Sequence, residues 1–228
     1  MVLQKLEQNV ESIQQDVEQA CQIGQRSVDS VTVICVTKSV DKETTKQVVN
    51  LGFEHLAENR MEKLLEKQEY LSDNKQIKWH FIGNLQRRKV KSVINNIDYF
   101  HALDKISLAE EIQKRAIKQI KCFVQVNVSG EISKQGISPE NLIDFIKDLK
   151  DFDRIEVIGL MTMAPIDSNL NELSQYFDQL KLLQNKVATE KLDHAPCTEL
   201  SMGMSQDFIP AIESGATFVR IGSRFFES

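Results

Sequence analysis

From residue 31 onward the chain alternates between two rhythms. Short runs rich in β-branched and aromatic residues recur as VTVICVT (31–37), FEHLAE (53–58), IKWHFIG (77–83), DYFHAL (98–103), CFVQVNVS (122–129), IEVIGLMTM (155–163), TELSMG (198–203) and TFVRIG (217–222). Between them lie charged stretches with apolar residues at helical spacing, such as DKETTKQVVNLG, ENRMEKLLEKQEYL, DKISLAEEIQKRAIKQ and NLNELSQYFDQLKLLQNKVATE. Helix starts are marked by Asp41, Asp104, Ser138 before Pro139, and Ser205. Strands that alternate with helices predict βαβ units and therefore a parallel sheet. The eight strand-like runs predict an α/β fold, a (β/α)8 TIM-type barrel, within the usual length of that architecture. A doubly wound open sheet is the competitor, but no Gly-rich dinucleotide fingerprint favours it. Ahead of the first strand, MVLQKLEQNVESIQQDVEQA predicts an amphipathic helix over residues 1–24, packed outside the barrel. No Pro/Gly/Ser-rich linker divides the chain, so residues 1–228 read as one domain.

Composition narrows the function classes. The hydrophobic fraction of 41% and charged fraction of 27% are those of an ordinary globular protein. A net charge of −5 argues against nucleic acid as the main partner, and QRRKVK (86–91) reads as a solvated helix face. Cys21, Cys35, Cys122 and Cys197 form no CxxC pair and no metal-like spacing with histidine, a pattern suited to a reducing cytoplasm. With no signal peptide and no run long enough to span a bilayer, a cytoplasmic location is expected, without membrane contact.

In such a barrel the chemistry sits at the C-terminal ends of the strands. Those ends carry Lys38, Glu58-Asn59, His80, Gly83-Asn84, Asp104, Asn127, Met161-Thr162, SMGMS (201–205) and RIGS (220–223). Strand alternation puts Ile34, Val36 and Lys38 on one face. If that face is the interior, apolar neighbours disfavour the ammonium form and leave an amine able to attack an aldehyde. The alternative is an ordinary lysine reaching into solvent. SMGMS offers hydroxyls and a close-approach glycine, and RIGS offers backbone N–H groups at Gly222 and Ser223. The loops after strands 7 and 8 frequently build phosphate sites in this fold, and closure sets them beside strand 1. An aldehyde-reactive lysine beside a phosphate cradle is what pyridoxal 5′-phosphate requires. Arg220 shares a face with Phe218 and would point inward at the pyridine nitrogen, keeping it unprotonated; the alternative is an arginine paired with a barrel carboxylate. His80 reads as a hydrogen-bonded interior residue rather than a base, and Asn59 as a partner of the ring or a helix cap. Tyr70, Tyr99 and Tyr176 fall in helices or at a strand start, so none is an obvious acid, and the four histidines show no metal-ligand pairing.

VTKSV around Lys38, LAENR (56–60), WHFIGNLQRRK (79–89), VNVSGEISKQG (126–136), GLMTMAP (159–165), SMGMSQDF (201–208) and VRIGSRFF (219–226) occur in one order. Across nearly the whole chain they resemble the pyridoxal phosphate homeostasis protein family, which is similar to the barrel domain of alanine racemase without its second domain. The resemblance implies a protein that holds pyridoxal 5′-phosphate as an aldimine and maintains vitamin B6 pools without catalytic turnover. It implies Lys38 as the Schiff-base lysine, Asn59 and Arg220 near the ring, and Ser201, Gly203, Met204, Ser205, Gly222 and Ser223 in the phosphate loops, with His80 added to the cofactor set. Ala57 stands where that family usually has glycine, and its methyl would shift the Asn59 loop; Ser223 replaces a common threonine and keeps the hydroxyl.

A carrier or regulator of the cofactor is therefore expected, with transient contact to apo-enzymes and a monomer rather than a dimer. The main alternative is an amino-acid racemase. Racemisation needs proton exchange on both faces of the ring; Lys38 can serve one, and no residue stands out for the other before the sequence ends at Ser228. A Schiff-base aldolase would carry its lysine on a later strand.

Overall fold

A computed structural model describes residues 2–131 and 134–227. All eight expected strands form: β1 (Thr32–Val36), β2 (His55–Glu58), β3 (Lys78–Phe81), β4 (Tyr99–Leu103), β5 (Ile120–Gln125), β6 (Ile155–Met161), β7 (Glu199–Met204) and β8 (Phe218–Ile221). They run parallel and close in sequence order, β8 returning to β1 in the register Thr32↔Phe218 through Cys35↔Ile221. The helices are α1 (Val2–Ile23), α2 (Lys42–Asn50), α3 (Met61–Tyr70), α4 (Val90–Val93), α5 (Ile106–Arg115), α6 (Leu142–Asp148), α7 (Leu170–Thr189), α8 (Phe208–Glu213) and α9 (Ser223–Phe226). Met1 and Ser228, the ends of the expected domain, lie outside the described residues, as do Ile132 and Ser133 of the 126–136 motif.

The first helix is bound to the barrel by both apolar and polar contacts. Leu6, Val10, Ile13, Val17 and Ala20 bury one stripe of α1. Asn9 Nδ2 donates to the carbonyls of Phe225 and Glu227 at 3.0 and 2.9 Å, and Arg224 pairs with Asp16 at 2.7 Å. The segment that follows β8 is thereby fastened to α1, beside the part of the site built there.

Differences from the expected boundaries have local causes. The fifth strand begins at Ile120 and stops at Gln125, because Asn127 Oδ1 accepts from the Gly130 N–H and the Ser129 hydroxyl and folds that segment into a turn. Asp41 does cap α2, accepting from Thr44 N at 2.8 Å. Asp104 does not cap α5, whose preceding residue is Lys105. Ser205 is displaced as a helix start by Asp207, whose carboxylate turns back to the Met204 N–H. The four cysteines are buried and unpaired, and among the described residues no helix is long and apolar enough to cross a membrane.

Gly159 and Gly203 are needed for close packing beside the site strands. A Cβ on Gly159 would collide with the Glu199 carbonyl oxygen of the neighbouring strand β7. At Gly203, with φ +91°, it would lie 2.7 Å from Ala211 Cβ and 2.9 Å from Phe208 Cα, so β7 can turn past α8 only without a side chain there.

Candidate functional site

A cavity of about 1110 Å³ opens at the C-terminal ends of the strands. Lys38 enters it from the turn after β1, Asn59 from the end of β2, Met204 and Ser205 from β7, and Arg220, Gly222 and Ser223 from β8 and the turn beyond. Asn59 faces the cavity with Ala57 buried two residues earlier, so the extra methyl is accommodated inside the wall. His80, Ser201 and Gly203 are fully buried and stand behind the cavity wall rather than on it.

The Lys38 amine is reached by water, in contrast to the exclusion that its apolar strand suggests. Val36 is the last residue of β1, and the turn that follows carries residue 38 to the exposed rim. The base of that turn is rigid. Thr37 donates its N–H to Ala57 O at 3.0 Å and its hydroxyl to Glu58 Oε1 at 2.7 Å, while its carbonyl accepts from Lys67 Nζ at 2.7 Å. Lys67 and Glu58 are a fully buried ion pair, both side chains at 0% exposure. Charges this far from water persist only when paired and hydrogen-bonded, and here Glu58 Oε1 and Lys67 Nζ each also bond the residue before Lys38.

Donors for an anion gather between β7 and β8. Ser205 Oγ accepts the Gly222 N–H at 3.0 Å, which leaves its own hydroxyl proton free to donate. Ser223 and Arg224 open α9, where the first N–H groups have no intrahelical acceptor. Asp207 borders the same space; burial pushes its carboxyl up, opposed by the Met204 N–H that it accepts.

Arg220 is buried, only 5% exposed, yet borders the cavity. Its Nη1 donates to Ser201 Oγ at 2.6 Å and its Nη2 to the Thr162 carbonyl at 3.0 Å. Among the described residues no carboxylate lies within ion-pair distance of it, and its remaining N–H groups have no protein acceptor. Burial pushes its pKa down to about 10, and Asp207 opposes that shift, so it stays cationic at neutral pH. An uncommitted buried donor edge of this kind fits a ligand that presents a neutral acceptor.

Behind Arg220 lies a feature that sequence reasoning missed. Ser201 Oγ is 2.8 Å from His101 Nδ1, His101 Nε2 is 2.7 Å from His80 Nδ1, and His80 Nε2 is 2.9 Å from His55 Nδ1. His80 lies flat against Tyr99, with centroids 4.3 Å apart, and His101 against Phe123 at 4.4 Å. Burial holds His80 and His101 well below the ordinary imidazole range, helped by neighbouring histidines and, at His101, by Arg220. The available signal was alternation: His55, Ala57 and Asn59 share one face of β2, as do Tyr99, His101 and Leu103 of β4.

The segment between β6 and α7 lines the cavity with Met163, Ala164, Pro165 and Ile166 beside Ser168 and Asn169, and Leu170 at the start of α7 adjoins it, Ile166 and Leu170 being 82% and 72% exposed.

Residues 2–227 match the family model described as "Alanine racemase, N-terminal domain". Over 213 residues the chain is 38% identical to the pyridoxal phosphate homeostasis protein of Aquifex aeolicus, covering 92% of each. Its fold matches PipY of Synechococcus elongatus, solved with PLP bound, with a TM-score of 0.81 at 28% identity, covering 92% of this chain and 99% of that one. Alanine racemase of Corynebacterium glutamicum shares the fold, with a TM-score of 0.67 at 13% identity, covering 94% of this chain and 60% of that one.

Proposed function

The chain belongs to the alanine racemase N-terminal domain family, and within it to the pyridoxal phosphate homeostasis proteins; from that premise we propose that it binds pyridoxal 5′-phosphate at the strand-end cavity and maintains the pool of that cofactor. The observation that carries this reading is the conjunction in one cavity of a lysine amine, a set of anion donors and a buried arginine edge. Each fits one part of the cofactor.

When bound, pyridoxal phosphate supplies a reactive aldehyde and an aromatic ring that can accept electrons. The protein's own residues divide the work of holding it. Ser205 Oγ–H and the first amides of α9 offer hydrogen bonds to the phosphate. Arg220 can only donate, so an N–H directed at the pyridine nitrogen leaves that nitrogen unprotonated and the ring a weak electron sink. Lys38 Nζ lies at the rim and supplies the nucleophile for covalent attachment. Its exposure suits exchange of the cofactor with solvent or with an apo-enzyme. Holding the cofactor rather than turning over a substrate is the reading supported by the chain's likeness to relatives named pyridoxal phosphate homeostasis proteins.

Equilibrium dialysis with pyridoxal phosphate and with unphosphorylated pyridoxal tests this reading. Tight binding of the first and much weaker binding of the second are expected. Equal affinity for both would remove the phosphate role, and no binding of either would remove the cofactor.

A further inference from the structure

Arginine has donors and no acceptor, and this one fact fixes the direction of every hydrogen bond behind it. Ser201 Oγ must accept from Arg220 Nη1. Its single hydroxyl proton then needs an acceptor in a fully buried position, and the other partner in contact is His101 Nδ1 at 2.8 Å. If His101 Nδ1 carried a proton instead, that hydroxyl would be left without an acceptor. His101 is therefore neutral with its proton on Nε2, which donates to His80 Nδ1. The same reasoning places the His80 proton on Nε2, donating to His55 Nδ1. Four strands beyond β8 contribute one residue each, and the series spans the barrel interior from the half-buried His55 to the ligand side of Arg220.

We propose that Ser201, His101, His80 and His55 form a hydrogen-bond relay of fixed direction that holds the Arg220 guanidinium aimed into the cavity, so that Ser201 and His101 are positioning residues for the bound ring. The proposal rests on the cofactor reading above for the identity of the ring. It assigns Ser201 to the arginine rather than to the phosphate, because its one proton and the lone pair facing Arg220 are both committed. A protonated imidazole donates from both nitrogens, so a charged His80 or His101 would set two N–H groups against each other and break the series. Burial of both rings against Tyr99 and Phe123 keeps them neutral, which is the state that the relay requires.

The test has one arm without cofactor and one with it. Long-range ¹H–¹⁵N spectra of the imidazoles in the cofactor-free protein at neutral pH, assigned with single His→Gln variants, should show His55, His80 and His101 neutral and protonated at Nε2. A proton on Nδ1 of His80 or His101, or a charged ring at either, would overturn the relay. In the second arm, Ser201→Ala, which removes one hydrogen bond to the charged guanidinium, should bind pyridoxal phosphate about tenfold more weakly, and His101→Phe, which leaves the Ser201 hydroxyl proton without its acceptor, should weaken binding in the same direction. Each should also shift the absorption maximum of the bound cofactor and the Arg220 Nε resonance, readouts that a merely structural role would leave in place. If both variants fold and keep wild-type affinity, absorption and arginine resonance, the positioning role is wrong. A wild-type protein that takes up no pyridoxal phosphate would overturn the cofactor reading alone, since the tautomers and the Arg220 resonance are read without it.

Discussion

Lys67→Met isolates the buried ion pair beneath Lys38. The substitution keeps most of the side-chain volume and removes the cation, leaving the Glu58 carboxylate at 0% exposure with Oε2 already lacking a hydrogen-bond partner. Removing one member of a buried pair typically destabilises by about 3–5 kcal/mol, because the remaining charge is neither solvated nor compensated. Glu58→Leu should behave similarly for the stranded ammonium. The double variant Glu58→Leu/Lys67→Met strands no charge. Its main loss is at Thr37, whose carbonyl and hydroxyl each lose a partner, roughly 1–3 kcal/mol in all. The two singles together thus exceed the double by several kcal/mol. Urea unfolding followed by fluorescence reads these values, Trp79 being the single tryptophan and buried at 7% exposure. A double variant as unstable as the sum of the singles would refute the assignment of this pair as mutually dependent buried charges. A functional consequence is coupled to it: with Thr37 loosened, Lys38 should attach cofactor more slowly in both singles.

Three further outcomes are expected. His80 and His101 are held below their ordinary value of 6.5 by burial, so below that pH the unfolded chain binds more protons than the folded one. Their stabilising contribution is complete above 6.5 and is lost as pH falls beneath it, until the folded rings themselves protonate. At roughly 1.4 kcal/mol per group per pH unit, urea unfolding should show a drop of about 2–3 kcal/mol between about pH 7 and pH 5.5. His101→Phe should halve that drop, and a profile indifferent to this change would count against the assignment. Gly203→Ala should lower stability by about 2–4 kcal/mol in thermal melts, since it combines a left-handed backbone angle with contacts below 3 Å; an unchanged Tm would show that α8 yields freely. Arg220→Ala should weaken cofactor binding and shift its absorption, and a variant identical to wild type in both would remove Arg220 from the site.

The barrel was legible because its signals are local. Most strands, such as β1, β5 and β6, are apolar runs with β-branched residues, and the longer helices between them repeat at helical period. The site was partly legible for the same reason: Lys38, Asn59, Ser205, Gly222 and Ser223 lie just past the ends of strands and Arg220 within β8, and closure of the barrel brings them together. Features that depend on pairing across strands were not visible. His80 could be read as a bonded interior residue, but its partners His55 and His101 lie 25 and 21 positions away, and alternation gives a face without giving a height in the barrel. Nor does the chain announce that Lys67, on a helix, reaches back to Thr37. The solvent exposure of Lys38 depends on where the turn after Val36 points, which an apolar run does not encode. Ser201 shows the same limit, since SMGMS supplies hydroxyls without saying which of them faces the cavity.

The most direct test of cofactor attachment at Lys38 is borohydride reduction of the protein loaded with pyridoxal phosphate, read by visible absorption and peptide mass, beside Lys38→Ala. The expected result is a yellow protein whose band bleaches on reduction, with the cofactor's mass fixed to the peptide carrying Lys38. Lys38→Ala should lack the band while retaining weaker binding that depends on the phosphate. A colourless wild-type protein, or a reduced adduct on another lysine with the Lys38→Ala spectrum unchanged, would contradict it.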